Sequence, residues 1–493
     1  MTVMKLTKEI LRLSLPSILA NITVPLVGMV DIAIAGHLSS SFGSAALIGG
    51  IAVGTMLFDL LYWNFAFLRT GTGGLTAQAY GASQSSFAGN TQSSFAGNIQ
   101  SSFAGLTGES IATGPILLRA LRIALLSGIA LIAVQWLVVQ GAFLVVKCTP
   151  EVRQLASQYF YIRIWAAPAT LSLFAFKGWF IGMQDSVRPM TADLLVNGIN
   201  IAASFLLALG IHGLFDGLGF PGIALGTVIA QWSGFAYCVA AVLKKGLFQG
   251  REGQNSAPVL KNGQKQGREA AGQGFFALNR DLFLRSVGMI AVYIGFTVIS
   301  ARFGDMMLAV STILMKLLMI FSYFTDGFAY AGEALTGRFI GAGSEEGVKA
   351  TVKQTFAWSG GVALLFMALY GLGGTWLFSL MTSDGAVVDA GRQFIPWLLL
   401  MPLVGCPAFM WDGIFIGATA GRHLRNSTLL CALGFFAVWF VGSWLADVFN
   451  SGSMGIGGMS PETAIHILMG AYFVHLVIRS VYLTYTYATK RFL

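Results

Sequence analysis

Long runs without charge alternate along this chain with short segments that hold most of its charge. Residues 123–146, 194–215, 217–243, 354–383 and 426–446 contain no Asp, Glu, Lys or Arg. Each run can cross a hydrocarbon core about 30 Å thick as a single helix. Read along the whole chain, the pattern predicts twelve helices, near 13–36, 45–68, 119–142, 156–181, 190–212, 221–243, 282–302, 306–332, 353–376, 393–416, 426–446 and 463–486. Arg285, Lys316 and Asp326 interrupt the seventh and eighth. The predicted fold class is an all-α polytopic membrane protein with twelve transmembrane helices in two pseudo-symmetric six-helix lobes. The first segment is long and lacks a small-residue cleavage site, so it is expected to be a retained helix, not a signal peptide.

Two polar stretches punctuate this pattern. Residues 84–106 repeat QSSFAGN, QSSFAGN and QSSFAGL from Gln84, Gln92 and Gln100. A spacing of eight is neither a helical nor a strand period, so a polar loop insertion is expected. Residues 246–274, rich in Gly, Gln and Lys, read as a cytoplasmic linker. The expected division is an N-lobe at 1–245, the linker at 246–274, and a C-lobe at 275–493.

The two halves echo each other. LTAQAYGA at 75–82 recurs as LTGRFIGA at 335–342, an offset of 260. GWFIG at 178–182 recurs as GIFIG at 413–417, an offset of 235. The offsets differ by 25, and the three eight-residue units of the first half supply 24 of that difference. Duplicated halves are a common transporter plan, in which one half rocks against the other to give alternating access.

Composition agrees: 55% of residues are hydrophobic and 10% charged, where a soluble domain would carry about 25% charged residues. The net charge of +9 could suggest nucleic acid, but its distribution argues for a membrane. With the N-terminus inside, 21 Lys and Arg fall at inward ends and 4 at outward ends, as the positive-inside rule expects. Both termini are therefore expected in the cytoplasm, in a cell inner membrane, with the lipid bilayer as partner and no nucleic acid. The four cysteines have neither metal nor redox spacing and read as small apolar residues. No Walker sequence and no dinucleotide fingerprint in its proper context is present, so no enzyme and no cofactor are expected. Energy would come from an ion gradient.

The chemistry must lie in the few polar groups inside the spans. An ionised carboxylate in hydrocarbon must pair, reach water or hold a proton. Asp31 follows Pro16 and Pro25 in the first helix, and Pro25 removes a backbone N–H, predicting a bend that could be coupled to the acid. Asn197 and Asn200, three apart, share a helical face and either line a cavity or bond neighbouring helices. Asp326 and Glu333 lie two turns apart, with Lys316 a quarter turn away, which allows a buried charge network. Asp412 precedes GIFIG; Asp59 and Asp193 lie nearer membrane ends. Lys177 and Lys316 are the candidate buried lysines. Aromatic and Met side chains, Tyr330 and Trp411 among them, suit amphipathic cations or simply fill the packing. No set has zinc spacing, and Asp31 is the one place where a sodium ion is considered.

The blocks NITVPLVGMVDIAIAGHL at 21–38, GLTAQAYGA at 74–82, FTDGFAYAGEALTGRFIGA at 324–342 and WDGIFIGATAGRHLRNS at 411–427 together resemble the MATE (multidrug and toxic compound extrusion) family, in its DinF-like branch. The resemblance implies a secondary antiporter that exports cationic or amphipathic small molecules in exchange for protons, or alternatively sodium ions; the two fused halves allow it to work as a monomer. It implies that Asp31 is the N-lobe coupling carboxylate, Pro25 the associated bend, and Asn200 the fifth-helix asparagine. Some members carry a second aspartate where this chain has Ser204, so one carboxylate is expected here. Asp326, Glu333 and Asp412 are candidates for a C-lobe site. A flippase for lipid-linked precursors, or a non-transporting receptor or scaffold, are the other classes to weigh.

Overall fold

We describe a computed structural model of the chain, covering residues 3–38, 43–87, 113–146, 148–211, 215–244, 263–382, 384–451 and 459–489. Backbone polar groups in lipid must be satisfied within their own segment, so a chain of apolar runs this long folds as helices. In order, these are α1 (Val3–His37), α2 (Ser44–Trp63), α3 (Phe67–Phe87), α4 (Thr113–Ala133), α5 (Gln135–Val145), α6 (Pro150–Arg163), α7 (Ala167–Gly182), α8 (Val187–Leu209) and α9 (Phe220–Lys244). Then follow α10 (Gly263–Ala301), α11 (Asp305–Gly341), α12 (Glu345–Met381), α13 (Gly385–Arg392), α14 (Ile395–Gly417), α15 (Gly421–Ser451) and α16 (Pro461–Ala488). A two-residue antiparallel ladder, Gly210–Ile211 with Phe215–Asp216, closes the turn between α8 and α9. Twelve helical stretches among the described residues are long and apolar enough to span a membrane, one in each predicted region. The third is shorter than expected: it ends at Ala133, and the short α5 follows as a separate helix.

The chain divides into two compact units. One comprises Leu15–Gly274, here the N-unit, and the other Met1–Ser14 with Phe275–Leu493, here the C-unit. Residues 3–14 thus pack with the C-unit, whereas the polar pattern had assigned them to the N-lobe. Leu6, Ile10 and Leu13 recur at helical spacing and are buried, and Glu9 pairs with Arg338 at 2.7 Å. Lys5, Lys8 and Arg12 interleave with this stripe, which is why a search for uncharged runs passes over it. The stretch expected as linker is helical from Gly263, and the first repeat is helical through Phe87. The rest of both stretches lies outside the described residues.

The duplication seen in the sequence has a structural counterpart within each unit. α7 crosses α3 where a Cβ at Gly178 would lie 2.1 Å from the Arg69 carbonyl oxygen, and α14 crosses α11 where one at Gly413 would lie 2.1 Å from that of Ala329. One turn on, Gly182 meets the Gly73 carbonyl (2.7 Å) and Gly417 that of Glu333 (2.3 Å). Arg69 and Ala329 stand 260 apart, and Gly178 and Gly413 stand 235 apart, the two offsets read from the sequence. Both crossing helices then end alike. Gln184 (φ 60°) and Thr419 (φ 54°) take left-handed conformations, while Asp185 N–H donates to Phe180 O and Ala420 N–H to Phe415 O. That is the doubly bonded helix end usually built on glycine.

Aromatic side chains fill the units. In the N-unit, Phe58 stacks on Phe160 (4.8 Å) and buried Trp179 donates its indole N–H to Thr113 O (3.2 Å). In the C-unit, Phe321, Phe366 and Tyr370 form a run of edge contacts. Ser344 caps α12 by accepting from Gly347 N–H, with Glu345 and Glu346 in the first turn complementing the helix dipole.

Candidate functional site

Asp31 sits in the fifth turn beyond Pro16 of α1, which runs unbroken through both of its prolines. The Thr23 hydroxyl, two residues before Pro25, donates to Ala20 O (2.7 Å) and accepts from the Asn197 amide (2.7 Å). Asn197 therefore ties α8 to α1. Asn200, one turn further along α8, is buried and donates to Thr227 Oγ1 on α9 (2.8 Å). Ser204, one turn further still, is fully buried; its hydroxyl donates to Ile223 O (3.2 Å) and lies near enough to the Asp31 carboxylate to act on it. Close approach of α9 permits this, since a Cβ at Gly226 would lie 2.5 Å from Ser204 Oγ.

Asp31 is 5% exposed, and among the described N-unit carboxylates it alone is buried. Its Oδ1, like the Oδ1 of Asn200, has no hydrogen-bond partner within the described structure. The positive charge acting on it belongs to Arg163 at the end of α6. Arg163 donates to Tyr159 Oη (2.9 Å) and lies 4.9 Å over the Phe58 ring, and its charge is also felt by Tyr62 and Asp59. A carboxylate with one open oxygen, a hydroxyl nearby and a guanidinium in electrostatic reach is a site that can gain and lose a small positive charge.

The other sequence candidates separate. Lys177 pairs with Asp193, a half-buried ion pair between α7 and α8, which accounts for both. In the C-unit, Asp412 accepts from Arg285 Nη2 (2.6 Å) and from Arg479 Nε (3.0 Å), and Arg479 is 2% exposed. Asp326 accepts from Ser322 (3.4 Å), and its charge acts on Arg479. Glu333 is fully buried, whereas Lys316 is exposed. The network suggested for Lys316, Asp326 and Glu333 therefore does not form around the lysine. The quarter-turn offset puts Lys316 on an uncovered face, and the cations come instead from α10 and α16. Trp411 is buried, donates to Thr484 Oγ1 (2.8 Å) and packs on Phe356 and Tyr487; Tyr330 is half-buried on α11. Trp411 in this arrangement is a packing residue.

Arg163 and Arg479 were not singled out from the sequence, although a signal existed. Of 30 basic residues, 25 fall at predicted helix ends, leaving Arg163, Lys177, Arg285, Lys316 and Arg479 inside the spans. Attention to intramembrane acids alone passed over two of these five.

The MatE family model matches residues 16–95, 112–206 and 282–441, well over half of the chain. The chain belongs to the MatE family. DNA damage-inducible protein F of Escherichia coli K12 is 32% identical over 444 residues, which cover 89% of this chain and 87% of that protein. The probable multidrug resistance protein NorM of Thermotoga maritima is 23% identical, over 88% and 84% of the two chains. Among solved structures, the Vibrio cholerae MATE transporter VcmN in its bent form superposes with TM-score 0.73 at 16% identity, covering 99% of this chain and 97% of that one. The eukaryotic MATE transporter AtDTX14 superposes with TM-score 0.69 at 15% identity, over 99% and 96%. At such identities the structural likeness speaks for the fold. This MatE protein is a multi-pass membrane transporter of the multidrug and toxic compound efflux family, not an enzyme.

Proposed function

We propose that this MatE transporter exports cationic or amphipathic small molecules in exchange for protons, that Asp31 carries the proton, and that the exchange proceeds by alternating access. It would act as a monomer in a cell inner membrane with both termini in the cytoplasm. The observation that carries the reading is the environment of Asp31: buried, one oxygen open, Ser204 against the carboxylate. A serine hydroxyl has one proton and two acceptor positions. With Asp31 ionised, Ser204 can turn its proton from Ile223 O to the carboxylate. With Asp31 protonated, its O–H can donate to Ser204, whose proton then turns to Ile223 O (3.2 Å). Both protonation states keep every donor satisfied, so Ser204 serves a single-carboxylate site where a second acid would compete for the same proton.

Sodium is the second reading, because the open Oδ1 atoms of Asp31 and Asn200 are oxygen ligands of the kind a small cation needs. The charge of Arg163 opposes any added cation, proton and sodium alike. What favours the proton is coordination: a proton needs one carboxylate oxygen, whereas sodium needs several oxygen ligands at once. Purified protein in liposomes, loaded with a fluorescent cationic dye, tests both readings under separate proton and sodium gradients. Proton-driven dye movement that is lost in Asp31→Asn is expected. Sodium-driven movement at constant pH would transfer the coupling to sodium, and full gradient-driven efflux in Asp31→Asn would remove Asp31 from the mechanism.

A further inference from the structure

The C-unit holds a second buried carboxylate whose surroundings are the reverse of those of Asp31. Both oxygens of Asp412 are taken: Oδ1 by Arg479 Nε (3.0 Å), Oδ2 by Arg285 Nη2 (2.6 Å) and by Arg479 Nη2. Arg479 thus holds the carboxylate through its Nε–H hydrogen bond, with Nη2 in ion-pair contact only, and Arg285 adds a second positive charge from α10. Asp412 is 9% exposed and Arg479 2%. Asp326, whose charge acts on Arg479, balances the excess.

The fold gives this arrangement a counterpart. Asp412 stands one residue before Gly413, and Lys177 one residue before Gly178, the two glycines at which the duplicated helix crossings make their closest approach. The same position in each unit therefore carries an ion pair made to neighbouring helices, with opposite polarity: Lys177 to Asp193 in the N-unit, Asp412 to Arg285 and Arg479 in the C-unit. A position that accepts either sign, provided that a partner of the other sign is packed against it, behaves as a clamp.

We propose that Arg285 and Arg479 are the resident cations of Asp412, filling the place that an external ion would occupy, so that Asp412 clamps α14 to α10 and α16 and takes no part in ion exchange. An external cation would have to displace guanidinium nitrogens from both oxygens and then sit beside two positive charges. The assignment rests on the reading that exchange occurs at Asp31, and it narrows the candidate C-unit acids by one.

Asp412→Gly tests the assignment directly, because it leaves the buried Arg479 and the part-buried Arg285 around a space the size of a small carboxylate. Formate at about ten times its dissociation constant should raise the melting temperature of the purified variant by roughly 1–3 °C, and should leave the wild type unmoved. Chloride at equal ionic strength serves as the control for salt. No response to formate in a folded Asp412→Gly protein would overturn the proposal. Should that variant not fold, the Asp31→Asn protein decides, since it keeps the clamp whole. Its melting temperature should not respond to sodium, and a sodium response that disappears on adding Asp412→Asn would overturn the assignment. The proposed function has a separate point of failure, namely retained coupled flux in Asp31→Asn, so the two ideas can fall independently.

Discussion

Replacing Gly413 by Ala puts a methyl carbon 2.1 Å from the Ala329 carbonyl oxygen, 2.7 Å from its carbonyl carbon and 2.9 Å from its Cα. All three are backbone atoms of α11, so no side chain can rotate away. Restoring an ordinary carbon–oxygen contact of about 3.3 Å requires α11 and α14 to part by more than an ångström at their crossing. Overpacking of a tight site costs about 1–3 kcal/mol, and the rigid backbone on both sides argues for the upper half of that range. Asp412 is the adjacent residue, so the displacement also pulls on its bonds to Arg285 and Arg479. The assay is thermal unfolding of purified protein, with Gly361→Ala as control. Gly361 lies in α12 with nothing within 4 Å of a new Cβ, so the control should be neutral or gain up to about 1 kcal/mol from helix propensity. Gly178→Ala, at the duplicated crossing with the Arg69 carbonyl also at 2.1 Å, should behave as Gly413→Ala does. If Gly413→Ala melts with the control, the close crossing does not exist as described.

Further outcomes follow from the same structure. Thr227→Val removes the acceptor of the buried Asn200 amide and should destabilise the protein by about 1–3 kcal/mol in a denaturation series, with Thr227→Ser largely restoring it. Ser204→Ala should leave dye binding intact but slow proton-driven efflux by roughly tenfold, the rate equivalent of one buried hydrogen bond, while Ser204→Thr should retain most of the flux. Asp412→Asn leaves the buried Arg479 and the part-buried Arg285 around a neutral amide and should cost about 3–5 kcal/mol in thermal or denaturant unfolding. Lys316→Gln, on an uncovered face, should change the melting temperature by no more than the equivalent of about 0.5 kcal/mol.

Much of this protein can be read in one dimension because lipid imposes a one-dimensional requirement. A helix must carry enough consecutive apolar residues to cross the bilayer, and that length is written in the chain; hence all twelve spans were legible. The duplication was legible for a related reason. GWFIG and GIFIG keep glycines four apart because two backbones touch there in each unit, and the offsets of 260 and 235 reappear as matched crossings. Asp31 stood out because an acid within such a run needs a reason to be there.

Partners that meet across the fold had no such signature. Asp412 finds Arg285 from 127 residues away and Arg479 from 67, and no spacing rule connects helices whose neighbours are set by packing. Lys316 shows the converse: in sequence it sits among acids, yet a quarter turn of α11 leaves it exposed while Glu333 is buried. Ser204 read as the loss of a carboxylate, and only the approach of α9 at Gly226 turned it into a buried hydroxyl that bonds Ile223 O within reach of Asp31. The sequence determined which segments enter the membrane and which charges go with them, since hydrophobic transfer is summed residue by residue. The tertiary structure decided which charge each one meets, since electrostatic partnership depends on distances that only helix packing sets.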